Sequence, residues 1–171
     1  MTRKVAILGL GATGGRWARD CHAAGWRVAV FDPEPDAEGG RPLKGDWKRH
    51  DTISGTVKGA DWVLIAVPDR LELIRKVIQR VQAEAPERAV ILSAARAFGI
   101  DEVQGCAWRP EQVVLVGRDE TGGIALTLSQ KNAPGLREDL TEALSAIAAV
   151  AALGDPPAAL PARPLRGEAS A

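Results

Sequence analysis

At 171 residues the chain is long enough to bury one good hydrophobic core. Lysine plus arginine and aspartate plus glutamate number 22 each, so the formal net charge is zero, and no basic excess points to nucleic acid or to an anionic membrane. Cys21 and Cys106 are far apart, without the spacing of a metal or redox motif, and are expected to be reduced, buried thiols. The apolar run behind Arg3 and Lys4 is too short for a signal peptide or a membrane span, so a soluble, cytoplasmic protein is expected.

Taken in chain order, residues 4–9 read as a strand that enters a glycine-rich turn. A helix follows over 13–24, with Trp17, Ala18, Cys21 and Ala24 on one apolar face and Gly25 as its stop. A second strand spans 27–31. Residues 33–51 hold three prolines and three glycines amid mixed charge and read as a loop. Trp62 to Val67 is a buried strand stopped by Pro68. Residues 70–85 form an amphipathic helix with Leu71, Ile74, Val77, Ile78 and Val81 facing inward.

A strand at 89–92, a helix or turn at 99–107 and an all-apolar strand at 113–116 follow. Ile124 to Ser129 alternates more and reads as an edge strand. Residues 135–152 read as a helix with Leu140, Leu144, Ile147 and Ala151 on one face. Strands alternating with helices, and apolar on both sides, predict an α/β fold with a doubly wound, mostly parallel sheet in a single domain over 1–153. Residues 154–171 are rich in proline, alanine and arginine and are expected to be a disordered tail.

The chemistry is concentrated near the amino end. Gly9-x-Gly11-x-x-Gly14 sits between a strand and a helix, and Asp32 ends the second strand 18 residues beyond Gly14. This is a dinucleotide-binding fingerprint of Rossmann type in its proper setting. Gly9 permits the tight turn, Gly11 a close approach to a pyrophosphate, and Gly14 the packing of helix on strand. The turn from Gly9 through Leu10, Gly11, Ala12, Thr13 and Gly14 is expected to offer backbone N–H groups to the phosphates. Asp32 is expected to bind ribose hydroxyls and to favour NAD over NADP.

Several segments carry a family resemblance over residues 4–152. They are the turn just described, Phe31-Asp-Pro-Glu-Pro, Ala60-Asp-Trp-Val-Leu-Ile-Ala-Val-Pro-Asp-Arg-Leu-Glu-Leu, Ala89-Val-Ile-Leu-Ser and Arg109-Pro-Glu-Gln-Val-Val-Leu-Val-Gly. The sequence resembles the NAD-binding domain of 3-hydroxyacyl-CoA dehydrogenases, including the related carnitine 3-dehydrogenases. The resemblance implies that Ala66, Val67 and Pro68 run beside the dinucleotide and that Asp69 replaces a cofactor-contacting Glu. A family Lys near the cofactor falls on Ile74, which implies weaker binding.

The catalytic side of the pattern does not transfer. The family's general base, a His, falls on Arg118; its orienting Glu falls on Gln130; a substrate-binding Ser falls near Arg96. An arginine stays protonated and cannot act as that base. The helical hairpin that helps bind coenzyme A and the all-helical C-terminal domain also have no counterpart in this chain. No residue is therefore assigned as catalytic or metal-binding.

Other candidate groups read as structural. His22 is expected to be partly buried on the first helix. His50, behind Lys48 and Arg49, is expected to lie in a solvated basic turn, with a phosphate or substrate contact as the alternative. Asp119 and Glu120 read as a solvated loop, with a position facing the nicotinamide as the alternative. Trp17, Trp26 and Trp62 read as packing, while Trp47 and Trp108 sit in loops from which either could reach a ligand.

Three functions fit these residues. The first is an NAD(H)-binding protein without the family's catalytic groups. The second is an oxidoreductase acting on CH–OH whose active site is completed by a partner protein supplying a helical domain. The third is an interaction module that has lost its ligand. Oligomeric state is not legible.

Overall fold

The computed structural model describes residues 2–33 and 47–153. The expected tail and most of the expected 33–51 loop lie outside the described residues. Eight strands form one sheet in the order β3-β2-β1-β4-β5-β6-β7-β8. They are β1 (Lys4–Leu8), β2 (Arg27–Phe31), β3 (Lys48–Arg49), β4 (Trp62–Ile65), β5 (Val90–Ser93), β6 (Val113–Arg118), β7 (Ile124–Thr127) and β8 (Val150–Leu153). Five helices connect them: α1 (Ala12–Ala23), α2 (Ile53–Val57), α3 (Leu71–Glu84), α4 (Ile100–Gln104) and α5 (Leu136–Leu144). All neighbouring strands run parallel except β6 and β7.

Side chains alternate across each strand, and here both faces are apolar. Val5 and Ile7 of β1, Val28 and Val30 of β2, Leu64 of β4 and Val114 and Val116 of β6 face Trp17, Ala18 and Cys21 of α1 and Leu140 and Leu144 of α5. The intervening residues Ala6, Leu8, Val63, Ile65, Ile91, Val113 and Leu115 face Ile74, Val77, Ile78 and Val81 of α3, with Val57 and Val103 from α2 and α4. Burial on both faces explains why these strands read as continuous apolar runs. The predicted inward face of the 70–85 helix is therefore the face it buries, except that Leu71 lies outside that buried set.

The structure departs from expectation at both sheet edges. Lys48–Arg49, read as loop, is a short strand that pairs with Ala29 and Val30. Two charged residues carry no apolar periodicity, so only the open edge of β2 identifies them as a strand. Ile124–Thr127 is not an edge strand: it pairs with β6 on one side and with β8 on the other. The helix expected over 135–152 stops at Leu144, and Ala151 lies in β8. Alanine favours helix locally, but the open side of β7 offers a hydrogen-bond ladder, beginning with Ile124 N–H donating to the Ala149 carbonyl at 2.7 Å. Tertiary pairing overrides the weak local preference.

Two of the tryptophans read as packing are deeply buried, Trp17 at 1% and Trp62 at 6% exposure. Trp26 stands edge-on to Trp62 with ring centroids 5.3 Å apart, and the Arg3 guanidinium lies over both rings. Trp47 packs against the core and meets His22, which is exposed rather than partly buried. Trp108 is exposed. Cys21 is buried as expected, and burial pushes its thiol up to about 12. Cys106 is exposed instead, lying beyond the end of α4.

Leu64 is 1% exposed at the centre of the sheet. Leu64→Ala is expected to lower unfolding free energy by about 3 kcal/mol, measured by urea denaturation, with the midpoint falling and the slope unchanged.

Candidate dinucleotide site

The order of the strands reverses at β1, with β2 on one side and β4 on the other. In open α/β sheets a crevice forms outside the carboxyl ends of strands at such a point. A cavity of about 720 Å³ lies there, lined by Leu8, Gly9 and Gly11 to Thr13, by Phe31 to Pro33, by Ala66 to Pro68, and by Ile53, Arg70, Leu73 and Val77.

The glycine turn makes this cavity possible. Gly9 adopts φ +99°, and a Cβ there would lie 2.4 Å from the Ala66 carbonyl oxygen. A Cβ on Gly14 would lie 1.8 Å from the Gly9 carbonyl oxygen. Both contacts are with backbone and cannot yield, so any side chain at either position would push α1 off the sheet. Gly11 is the N-cap residue of α1 and has no side-chain cap; no acid occupies the first turn. The first N–H groups of a helix have no intrahelical acceptor, and here Gly11, Ala12 and Thr13 line the cavity.

Asp32 lines the same cavity from the end of β2. Its Oδ2 accepts the Leu10 N–H at 2.6 Å, so the carboxylate is held against the turn. Leu10 itself points its side chain into the core at 6% exposure. Thus of the turn residues singled out by sequence, Gly9, Gly11, Ala12 and Thr13 line the cavity. Gly14 packs behind them, and Leu10 contributes its N–H to Asp32.

Ala66, Val67 and Pro68 form the opposite wall of the cavity. Asp69 does not line the cavity. Its carboxylate accepts the N–H groups of Arg96 at 2.9 Å and Ala97 at 3.0 Å, tying the loop after β4 to the loop after β5. Ile74, which stands for a family Lys, is core at 1% exposure. Sequence reasoning passed over Arg70, the exposed N-cap residue of α3, and the apolar wall of Ile53, Leu73 and Val77. Leu73 packs at the margin of the core stripe of α3.

At the end of β6 the geometry is different. The Arg118 side chain is 10% exposed. It pairs with Asp20 of α1, donates to the Gly122 carbonyl at 2.8 Å, and lies over the Trp17 ring at 4.4 Å. Its Nε is buried without a partner. Burial lowers its pKa, which Asp20 opposes. Asp119, the next residue, folds back on its own turn. It accepts Thr121 N–H at 2.9 Å, Thr121 Oγ1–H at 2.6 Å and Gly123 N–H at 2.8 Å. These bonds, led by that of the Thr121 hydroxyl, hold its carboxyl below the usual range. Glu120 and Gln130 are exposed. No group of three or more metal-ligating side chains occurs among the described residues, and no described helix is long and apolar enough to cross a membrane.

Comparison with known proteins agrees with this geometry. Residues 1–105 match the family model described as D-isomer specific 2-hydroxyacid dehydrogenase, NAD binding domain. An L-carnitine dehydrogenase/betainyl-CoA thioesterase of Ruegeria pomeroyi is 34% identical over 129 residues, covering 64% of this chain and 26% of the relative. An L-carnitine dehydrogenase of Nocardiopsis dassonvillei is 30% identical over 132 residues, covering 66% of this chain and 40% of the relative. The chain thus spans well under half the length of these relatives. Among solved structures, a 3-hydroxyacyl-CoA dehydrogenase from Archaeoglobus fulgidus superposes with a TM-score of 0.76 at 19% identity, covering 88% of this chain and 56% of that one. A 5-formyl-3-hydroxy-2-methylpyridine 4-carboxylic acid 5-dehydrogenase, an NAD-dependent dismutase, gives 0.80 at 20% identity, covering 95% and 60%. These two likenesses establish the fold. A glycine turn built for close backbone approach, an acid at the end of the second strand and a family match over residues 1–105 have one common meaning: the chain belongs to the NAD-binding domain family of the D-isomer specific 2-hydroxyacid dehydrogenases, as a Rossmann-type domain whose cofactor is NAD.

Proposed function

We propose that this chain holds NAD(H) through the glycine turn and Asp32 and that its described residues supply no general base for dehydrogenation. Backbone N–H groups of Gly11, Ala12 and Thr13 would face the pyrophosphate, where the positive end of α1 favours negative charge. Asp32 would accept the ribose hydroxyls, and the Leu10 N–H orients it to do so. Ala66 to Pro68 would lie along one side of the dinucleotide, and Ile53, Leu73 and Val77 would give an apolar surface for a base. NAD supplies a hydride acceptor when bound. What this chain adds is binding, orientation and exclusion of water.

The observation that carries the second half of the proposal is the state of Arg118. A group that takes a hydroxyl proton must lose and regain one near neutral pH. Arg118 stands where the resemblance puts that group, and it is a guanidinium already committed to Asp20 and Gly122. The neighbouring Asp119 is held ionised by its own turn and spends its acceptors there. Oxidation of a CH–OH substrate, such as L-carnitine or a 3-hydroxyacyl-CoA, would need groups from outside these residues, for example from a partner protein. The exposed thiol of Cys106 supports a reducing, cytoplasmic setting.

Titration with NADH, followed by energy transfer from tryptophan, is expected to saturate. Gly11→Trp is expected to abolish the signal while the far-ultraviolet circular dichroism spectrum is kept, and Asp32→Ala to weaken NADH binding about tenfold or more. A wild-type protein that gives no transfer would leave only the ligand-free interaction module. With L-carnitine or 3-hydroxybutyryl-CoA and NAD, the isolated chain is expected to give no turnover, and measurable turnover would refute the assignment.

Asp20→Ala probes Arg118 separately. It removes the carboxylate from a nearly buried guanidinium and is expected to cost about 2 kcal/mol of stability, read from urea denaturation. Asp20→Asn should recover part of that loss.

A further inference from the structure

A second cavity, of about 530 Å³, opens at the β2–β3 edge of the sheet and shares no lining residue with the first. Lys4 begins β1, Arg27 begins β2, Lys48 belongs to β3 and Lys58 follows α2; all four line it, together with His22 and His50. Trp26, Val28, Ala29 and Gly55 complete the described wall. The chain has zero formal net charge, yet this wall carries four permanent cations, two imidazoles and no carboxylate among the described residues.

The parallel strand register creates the cluster. Lys4 pairs with Arg27 across β1 and β2, and Ala29 pairs with Lys48 across β2 and β3, so cations from three adjacent strands come to one edge. The acids nearby are already engaged or lie at the margin. Asp61 Oδ2 accepts the Lys4 backbone N–H at 2.9 Å, and Asp51 is exposed beside His50. The Lys4 ammonium donates to the Lys58 carbonyl. Burial and then Arg27, Lys48 and Lys58 lower the Lys4 pKa, with Asp61 opposing. Burial, Lys48 and Lys4 lower that of His50, with Asp51 opposing. Desolvation leads both shifts, and the neighbouring cations add to it in the same direction.

We propose that this groove binds the phosphate group of a small phosphorylated molecule, at a site separate from the dinucleotide cavity. A volume of about 530 Å³ suits a small ligand. Ammonium and guanidinium donors converging from three strands and a loop suit a compact, multiply charged oxyanion. Such an anion would offset the like charge of the cations that line the cavity. An extended acidic peptide would want a longer track of charge than one edge cavity offers.

Inorganic pyrophosphate is the probe. The protein holds two histidines, so His22→Asn assigns the imidazole resonances, and the wild-type chain is then titrated with and without saturating NADH. Pyrophosphate bound in the groove is expected to shift the His50 resonances saturably and to raise the pH at which His50 titrates, because an anion stabilises the charged ring. The shift should be the same with NADH present. Lys48→Glu is expected to weaken this response about tenfold, and the Lys48→Glu/Lys58→Glu pair about a hundredfold, with NADH affinity unchanged. An unresponsive His50, or equal affinity in the double variant, would overturn the proposal. So would saturable binding of a polyglutamate peptide in place of pyrophosphate, which would make the groove a protein-docking surface. Loss of NADH binding leaves the His50 readout intact, so failure of the dinucleotide assignment is told apart from failure of this one.

Discussion

The close approach of backbone to backbone at Gly9 sets the position of everything around the cofactor cavity. The Gly9 α-carbon sits where a Cβ would meet the Ala66 carbonyl oxygen at 2.4 Å, and Gly14 presses on the Gly9 carbonyl in turn. Three segments are fixed by these contacts: the end of β1, the start of α1 and the loop after β4. The Leu10 N–H bonded to Asp32 fixes a fourth, the end of β2. The same arrangement leaves the amino end of α1 without a side-chain cap. The helix start is exposed at Ala12 and Thr13, and its first N–H groups lack intrahelical partners. A helix start of this kind, opened on a cavity, is suited to negative charge.

The two halves of the crevice differ in how their polar groups are satisfied. On the side of β1 and β2, Asp32 lines the cavity while accepting the Leu10 N–H, and the first turn of α1 carries no side-chain cap. On the side of β5 and β6, side chains are turned inward to serve the fold. Asp69 joins two loops through Arg96 and Ala97; Arg118 clamps α1 through Asp20 and covers Trp17; Asp119 closes the β6–β7 turn. Each of these groups is already occupied. Reaction chemistry needs groups that exchange partners as charge develops, and groups committed to structure are poorly suited to that.

The legibility of the sequence followed the range of the forces involved. The glycine turn, its flanking strands and Asp32 lie within one short βαβ unit, and every position in it is constrained by local sterics. Strands buried on both faces announced themselves as apolar runs, and α3 by its stripe of Ile74, Val77, Ile78 and Val81. What remained hidden was non-local. Lys48–Arg49 becomes a strand only because β2 has an open edge, and Val150–Leu153 leaves its helix-favouring surroundings only because β7 does. The bonds of the Asp69 carboxylate to N–H groups 27 and 28 residues away were equally hidden. Arg70, Ile53 and Leu73 reached the cavity through the packing of α2 and α3, which no spacing in the sequence encodes.

Charge shows the same contrast between what a sum conceals and what a fold arranges. Equal numbers of acids and bases exclude a strongly charged surface on average, and nothing in the sequence places Lys4, Arg27, Lys48 and Lys58 together. Parallel pairing does so, because it aligns the starts of neighbouring strands at one end of the sheet. Asp32 lies just past the other end of β2 from Arg27, five residues of rise beyond it, or roughly 16–17 Å. At physiological ionic strength charges are largely screened beyond about 8 Å. Asp32 therefore does little to discharge the cationic edge, and one small sheet can present two electrostatically separate surfaces.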